Sequence, residues 1–449
     1  MRKNTTPGSR RRILLLALLP STLLAQGISL QEALRISDSQ GYANRLAKSA
    51  TAETRGQKLS SSAGFLPTVR AEVGAGATDD PLGAFGTRLG QRRVSMASFD
   101  PSSLNDPKLI AGWNAAVVAE VPLVNLDAWQ GRRMASKAVE MRTLQEEETR
   151  AKTHVQVIEA WTGAQLAREA VATWEAALAV AKAHEKRATS VQKNEMVNRS
   201  EVLMASVKVG EFEASLRKAR ADAELAQGAL EVLLGSESPL EIRFSDLPTD
   251  SVIASSARNL EAKGASLSRA VVASQEEVAQ ADLDRARVAF IPRVNGMARM
   301  DWKGHETPWQ EDPSVSVGVV ASWTLFRGGD DWGQAASARA RLEQARTGLA
   351  AQTARESMEL RSHRARLASS LDRSALATKS LEQALEAHRI VARRFEEGVG
   401  DLTALFETKA QETRLRLERS AARQEAFTAL AHLALLSGRD PAELATLSR

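Results

Sequence analysis

The chain carries one plan twice. Phe65-Leu66-Pro67 returns as Phe290-Ile291-Pro292, and each copy leads into an alternating apolar segment, a loop, a second alternating segment and a very long helical stretch. Trp129 and Trp332 occupy matching points 203 positions apart, and so do Glu195 and Gly398 at the far turns of the helical stretches. The distance from strands to turn, about 66 residues, is thus held constant; as one helix rising about 1.5 Å per residue it spans roughly 100 Å. That is far longer than a compact domain needs.

Residues 1–25 read as a secretory signal peptide: Arg2, Lys3 and Arg10-Arg11-Arg12 precede an apolar run from Ile13 to Leu24, with Ala25 at a plausible cleavage point. A membrane anchor would need about 20 apolar residues without the proline that interrupts this run. No other stretch is long and apolar enough for a spanning helix. There are no cysteines, which removes disulfides and thiolate chemistry and is compatible with an oxidising envelope compartment. The net charge of +5 includes the five basic residues of that leader, so the remainder is close to neutral. Acidic and basic residues alternate along the helices, the mark of a solvated face. No basic stripe interleaved with aromatics exists, so no nucleic-acid partner is expected.

Four segments alternate with period two: Val69–Ala77, Trp113–Val121, Val294–Trp302 and Val315–Trp323. Each is nine residues long, close to the about nine to eleven tilted residues that cross a bilayer as a strand. Trp113, Trp302 and Trp323 end the apolar faces, where an aromatic girdle at the membrane surface would sit. A small soluble sheet lying on the helices is the alternative. The connections Thr78–Gly112 and Lys303–Ser314 are rich in Gly, Pro, Ser and Asp and read as external loops; the first is about 22 residues longer and accounts for the difference between the repeats.

Ser29 and Glu32 form a capping box that starts a helix expected to run to Ala63, with Gly64 suited to a left-handed end. Long helices are expected over Asp127–Glu195 and Asp331–Glu397, return helices over Ser200–Leu234 and Leu402–Leu436, and a further helix over Ser256–Ala289. The implied segments are 26–64, a helix; 65–126, the first strand pair; 127–235, the first hairpin; 236–255, an irregular connector; 256–290, a helix; 291–330, the second strand pair; 331–438, the second hairpin; and 439–449, a tail. Two short helices stacked end to end match each long one in length, which implies a helical column with two hairpin tips at one end and four strands at the other.

Four strands cannot close a barrel, and lipid does not tolerate open edges. They must close with copies of themselves. Two copies give eight strands, filled by side chains; three give twelve, wide enough for a lumen. Inward faces of Gly, Ala, Ser and Asn suit a wetted pore, which the helices would prolong as a tube.

The residues resemble the TolC-like outer-membrane efflux proteins. The resemblance rests on Leu30-Gln31-Glu32-Ala33-Leu34, on the two Phe-Leu/Ile-Pro triplets, on Trp323-Thr324-Leu325-Phe326-Arg327-Gly328-Gly329 and on Arg394-Phe395-Glu396-Glu397-Gly398, in order over residues 29 to 438. It implies a mainly α fold with a β-barrel portion: a duplicated unit of long coiled-coil hairpins plus four transmembrane strands, closing as a homotrimer into a 12-stranded outer-membrane barrel continuous with a periplasmic α-helical tunnel. It also implies two partners, a periplasmic adaptor and an inner-membrane transporter, and passage opened at the hairpin tips. The adaptor-contact tips carried over are Asn198 and Arg199 in the first hairpin and Gly398, Val399 and Gly400 in the second; the first lacks the glycine present in the second. The family's tunnel end is narrowed by acidic residues six or nine positions after the tip. Glu201 falls six after Glu195, Glu407 falls nine after Gly398, and Asp401 lies nearby, whereas Met204 and Ala404 are not acidic. These carboxylates are candidate gate residues; ordinary solvated positions or helix caps are the alternative.

No cofactor or enzyme activity is expected. His154, His184, His305, His363, His388 and His432 lack metal-ligand spacing, and no phosphate-cradling loop or nucleophile elbow is present. A structural coiled-coil stalk and a periplasmic adaptor are the competing readings. A stalk should lack paired strands, and an adaptor should have one hairpin rather than two.

Overall fold

A computed structural model describes residues 27–192, 198–236, 238–260, 266–288, 290–397 and 399–447. The expected leader and the turn positions Glu195 and Gly398 lie outside them. The elements in order are α1 (Leu30–Gln40), α2 (Tyr42–Ser60), β1 (Thr68–Thr78), α3 (Pro81–Gly90), α4 (Pro101–Asn105), β2 (Ile110–Val124), α5 (Leu126–Gln192), α6 (Arg199–Leu234), α7 (Asp250–Arg258), α8 (Leu267–Val288), β3 (Arg293–Gly304), β4 (Ser314–Ser322), α9 (Asp330–Glu396) and α10 (Leu402–Leu436).

The two long helices, α5 and α9, each run 67 residues, roughly 100 Å at about 1.5 Å per residue. Neither contains a proline. Asp330 and Asp331 in the first turn of α9 and Arg393 and Arg394 in its last complement the helix dipole. Interhelical contacts give the lateral order. Near the sheet, α5 meets α2, where Arg132 donates to the Lys58 carbonyl at 2.5 Å, and α8, where Lys137 pairs with Glu277 at 2.9 Å. Toward the tips it meets α6 through Arg220–Glu175 at 2.7 Å, and α10 through Ser420–Glu169 at 2.7 Å. α9 lies on the other side of α8 and α10, joined by Arg341–Asp282 at 2.8 Å and by Arg373–Glu425. The layer therefore reads α2 and α6, then α5, then α8 and α10, then α9.

The largest apolar core sits at mid-height, where the short helices meet. Trp161, Ile158, Leu230, Leu234, Ile253, Phe427 and Leu430 are fully buried there. Each such side chain contributes about 1.5–3 kcal/mol, against about 0–1 kcal/mol for an exposed ion pair; the core holds the column, and the ion pairs set its register. A second core near the tips joins Ala181, Phe212, Phe395, Leu405 and Phe406.

Several expected elements differ. The first helix breaks at Gly41 (φ −54, ψ 129), bridged by Asn44 Nδ2 donating to the Ser37 carbonyl at 2.9 Å. Gly235, which ends α6 with φ 69, stands so close that a Cβ there would collide with the Gln40 carbonyl oxygen. The break seats the end of one short helix against the other. Gly64 ends a 3₁₀ turn without a left-handed φ; what it permits is the approach of α5, whose Ala128 Cβ would lie 2.6 Å from an added Cβ. The helix expected over 256–289 is instead α7 and the 22-residue α8, so equal-length stacking does not hold on that side. The connection between β1 and β2 holds α3 and α4, whose starts are set by Asp80-Pro81 and Asp100-Pro101, proline at the first helical position.

Mid-height also carries a buried charge clamp. His154 of α5, 2% exposed, is held between Asp38 of α1 at 2.9 Å and Asp440 at 2.8 Å. Asp440 caps a C-terminal 3₁₀ helix, accepting from the Ala442 amide at 2.9 Å. Burial pushes the imidazole down, but the hydrogen bonds and charges of Asp440 and Asp38 override it and hold His154 above its ordinary value. The His154 hydrogen bond holds Asp440 below its own. The histidine contribution is full below about pH 6.5 and is lost as pH rises through the raised folded value; the aspartate contribution is full above about pH 4 and is lost as pH falls through the lowered one. Asp440→Asn, which keeps the cap, should therefore lower the melting temperature most between about pH 4 and 6.5, with the deficit shrinking toward pH 9. Thermal melts of parent and variant across pH check this; a deficit that does not vary with pH contradicts the clamp.

Candidate functional site

The candidate site is the sheet and what it opens into. Its strands pair antiparallel in the order β1-β2-β3-β4, so β2–β3 joins the two hairpins into one sheet. Among the described residues the outer edges of β1 and β4 have no strand partner.

Register sorts the side chains. Val69, Ala71 and Val73 lie opposite Ala119, Val117 and Ala115; these lie opposite Ala298, Met300 and Trp302, and Val317 and Val315 continue the rows from Ala298 and Met300. One face is therefore apolar throughout; its edge-strand valines Val69 and Val317 are 70% and 77% exposed, whereas Ala115 in the middle is buried. The other face carries all the charged residues of the strands, set among Ala116, Val118, Met297 and Val320, and most of these charges pair with one another. Arg70 meets Glu120 at 3.2 Å and Glu72 at 3.7 Å, and Arg299 meets Asp301 at 2.8 Å and Glu72 at 3.9 Å. All five residues stand on the expected inward face, but which ones meet depends on strand register and was not legible beforehand. Pro122 falls at a register irregularity, where a missing amide is tolerated.

The three tryptophans expected at the membrane surface divide between two levels. Trp113, opposite Gly304, and Trp302, opposite Ala115, lie at the loop end, and Trp309 packs edge-on to Trp302 at 5.2 Å. Trp323 lies at the helix end, one residue beyond β4, its indole donating to the Phe290 carbonyl at 3.1 Å. The helix end holds more aromatics than those: Phe65 stacks on Trp129 at 5.7 Å, and Phe326 tilts against Trp332 at 6.2 Å. The repeat in Trp129 and Trp332 was the signal that could have found this belt.

At the opposite end of the column, Asn198 precedes α6 and makes no side-chain cap bond, and Arg199 begins the helix; both are exposed. Val399 is exposed, and Gly400 packs so closely on Phe395 that an added Cβ would lie 2.5 Å from its amide nitrogen. Asp401 caps α10, accepting from the amides of Thr403 at 3.0 Å and Ala404 at 3.2 Å. Glu201 lies in the first turn of α6, and Glu407 is exposed on α10. Gly398 lies outside the described residues. Among the described residues no cluster of His, Asp and Glu suits a metal ion, and no helix is long and apolar enough to cross a membrane.

Comparison with known proteins bears on this geometry. Residues 261–439 match the model of the outer membrane efflux protein family. A comparison with curated protein sequences finds no match. The fold is similar to that of the outer membrane protein VceC of Vibrio cholerae (TM-score 0.72, 14% identity, 91% of this chain and 96% of that one). It is also similar to the CmeC outer membrane channel of Campylobacter jejuni (0.74, 11%, 91% and 85%) and to the open state of the MtrE outer membrane channel of Neisseria gonorrhoeae (0.72, 15%, 92% and 89%).

The two faces make a direct contrast. Arginine on a lipid-facing strand position costs about 2–4 kcal/mol at mid-membrane and little on the lumen side. If the apolar face meets lipid, Val317→Arg should strongly reduce folded protein recovered from the membrane fraction, whereas Ser316→Arg, one residue away on the other face, should not. Equal recovery of the two contradicts the assignment of faces.

Proposed function

We propose, from the premise that residues 261–439 form an outer membrane efflux protein domain within a chain folded as outer-membrane channels are, that this protein is the outer-membrane exit duct of a tripartite efflux or secretion system. The observation that carries the reading is a four-stranded sheet with one wholly apolar face and two edges unpaired among the described residues, continued by two 67-residue helices. The edges are satisfied when β4 of one copy pairs with β1 of the next. Three copies make a 12-stranded barrel with room for water around the Arg70–Glu72–Arg299 lattice; two would bury those charges in a filled bore.

The helices support the same closure. α6 and α2 flank the layer on one side and α9 on the other. α6 leaves Leu203, Val207, Ala214, Leu225 and Val232 exposed on one face, and α9 leaves Ala340, Ala351, Met358, Ala365 and Leu376 exposed on one face. Laid against each other between neighbouring copies, these stripes close a helical tunnel in the periplasm beneath an outer-membrane barrel. The duct is passive. Its tips, around Asn198, Arg199, Gly398, Val399 and Gly400, meet a periplasmic adaptor and an inner-membrane transporter, whose contacts favour the open arrangement. The paired strands speak against a stalk, and the two hairpins against an adaptor. Copurification of an adaptor and a transporter from detergent extracts tests the assembly; solubility without detergent contradicts the duct.

Within this reading Glu201, Asp401 and Glu407 form a carboxylate constriction that attracts cations and repels anions. The triple variant Glu201→Gln, Asp401→Asn, Glu407→Gln keeps a capping side chain at 401 and should lose several-fold in cation over anion preference in planar bilayers. Unchanged conductance and unchanged preference remove the gate assignment and leave the duct standing.

A further inference from the structure

The loop between β1 and β2 folds over the polar face of the sheet. Gly112 is on that face, opposite Gly76, and a Cβ there would lie 2.5 Å from Gln91 Nε2 and 3.3 Å from Thr87 Cγ2. A Cβ at Gly90 would lie 2.8 Å from the Cδ of Lys303, which shares the face with Asn114. Gln91, 2% exposed, donates to the carbonyls of Ala111 at 3.1 Å and Gly304 at 3.4 Å. Arg92, in the left-handed region at φ 54, pairs with Asp312 in the β3–β4 loop at 3.2 Å. α3 is thus pinned to both hairpins, with its back on the lumen wall.

The helical wheel settles what its front presents. Gly83, Thr87 and Gln91, with buried Ala84, form the face toward the sheet. Leu82, Phe85 and Leu89 fall on the opposite face; Leu82 is 81% and Leu89 57% exposed, and Phe85 is braced edge-on by Phe99 at 5.7 Å. A water-facing loop has no use for an apolar ridge of this kind. A ridge whose back lies on the barrel wall points toward the barrel axis, and closing the barrel with identical copies puts three such ridges around that axis.

We propose that α3 is an external gate: Leu82 and Leu89 of each copy meet their counterparts at the barrel mouth and form an apolar constriction. The proposal rests on the trimeric-duct reading above. Such a ring holds back hydrated ions by dewetting and yields to amphipathic organic solutes, which wet it; the cargo class it fits is amphipathic molecules rather than inorganic ions. The duct then has two barriers of opposite chemistry, charged at the tips and apolar at the mouth.

The test uses the full-length protein in detergent and in planar bilayers. The chain has no cysteine, so Leu82→Cys and Leu89→Cys are single reporters. Mild oxidation should give covalent dimers on a denaturing gel from both, and none from Val317→Cys on the membrane face. The double variant Leu82→Ser, Leu89→Ser should raise single-channel conductance several-fold while native gels still show three-copy particles. Three-copy particles without cross-links, or with parental conductance in the serine variant, overturn the gate and leave the duct intact. Failure of the parent itself to form three-copy particles overturns the duct and the gate with it.

Discussion

Backbone groups at the two sheet edges are the constraint on which everything else depends. β1 and β4 each carry an outer row of amides and carbonyls with no strand partner among the described residues, and the apolar face beside them is suited to hydrocarbon. Each unsatisfied group in lipid costs several kcal/mol, so roughly ten of them would exceed the about 5–15 kcal/mol that stabilises a typical fold. Within the duct reading, association is therefore a condition of the strands existing in a membrane at all. The number of copies is then decided by the polar face, whose paired charges need water.

Within the same reading the helices carry that closure away from the membrane. Equal lengths in α5 and α9 keep the two hairpin tips level, and the break between α1 and α2 at Gly41 seats the short helices end to end. The largest apolar core lies at mid-height, where Trp161 and Phe427 are buried and His154 ties three segments together. The ends are different. At the tips, Gly400 allows a turn too tight for a side chain, and at the mouth a pinned loop presents leucines to open space.

Much of this was legible in the residues. Period-two alternation located all four strands, and the repeated spacing from Trp129 and Trp332 to the far turns located both long helices. Three features escaped for identifiable reasons. Gly41 interrupts a helical pattern without a proline or a cap beside it, and only its packing against Gly235 explains the break. The loop helices were signalled by Asp80-Pro81 and Asp100-Pro101, but a Gly- and Ser-rich composition around them reads as irregular. The charged lattice was visible as residue types on one face, yet Arg70 finds Glu120 and Arg299 finds Glu72 only through register, which no local pattern encodes. At the tips, Asp401 acts as a helix cap, so its position alone does not separate a gate from a fold-stabilising residue.

The most direct measurement of the central claim is single-particle electron microscopy of the detergent-extracted protein. The account predicts a three-fold particle in which a 12-stranded barrel continues without a seam into a hollow helical tube about 100 Å long, with β4 of each copy hydrogen-bonded to β1 of the next. A monomer, or a bundle of rods packed solid along the axis, would contradict it.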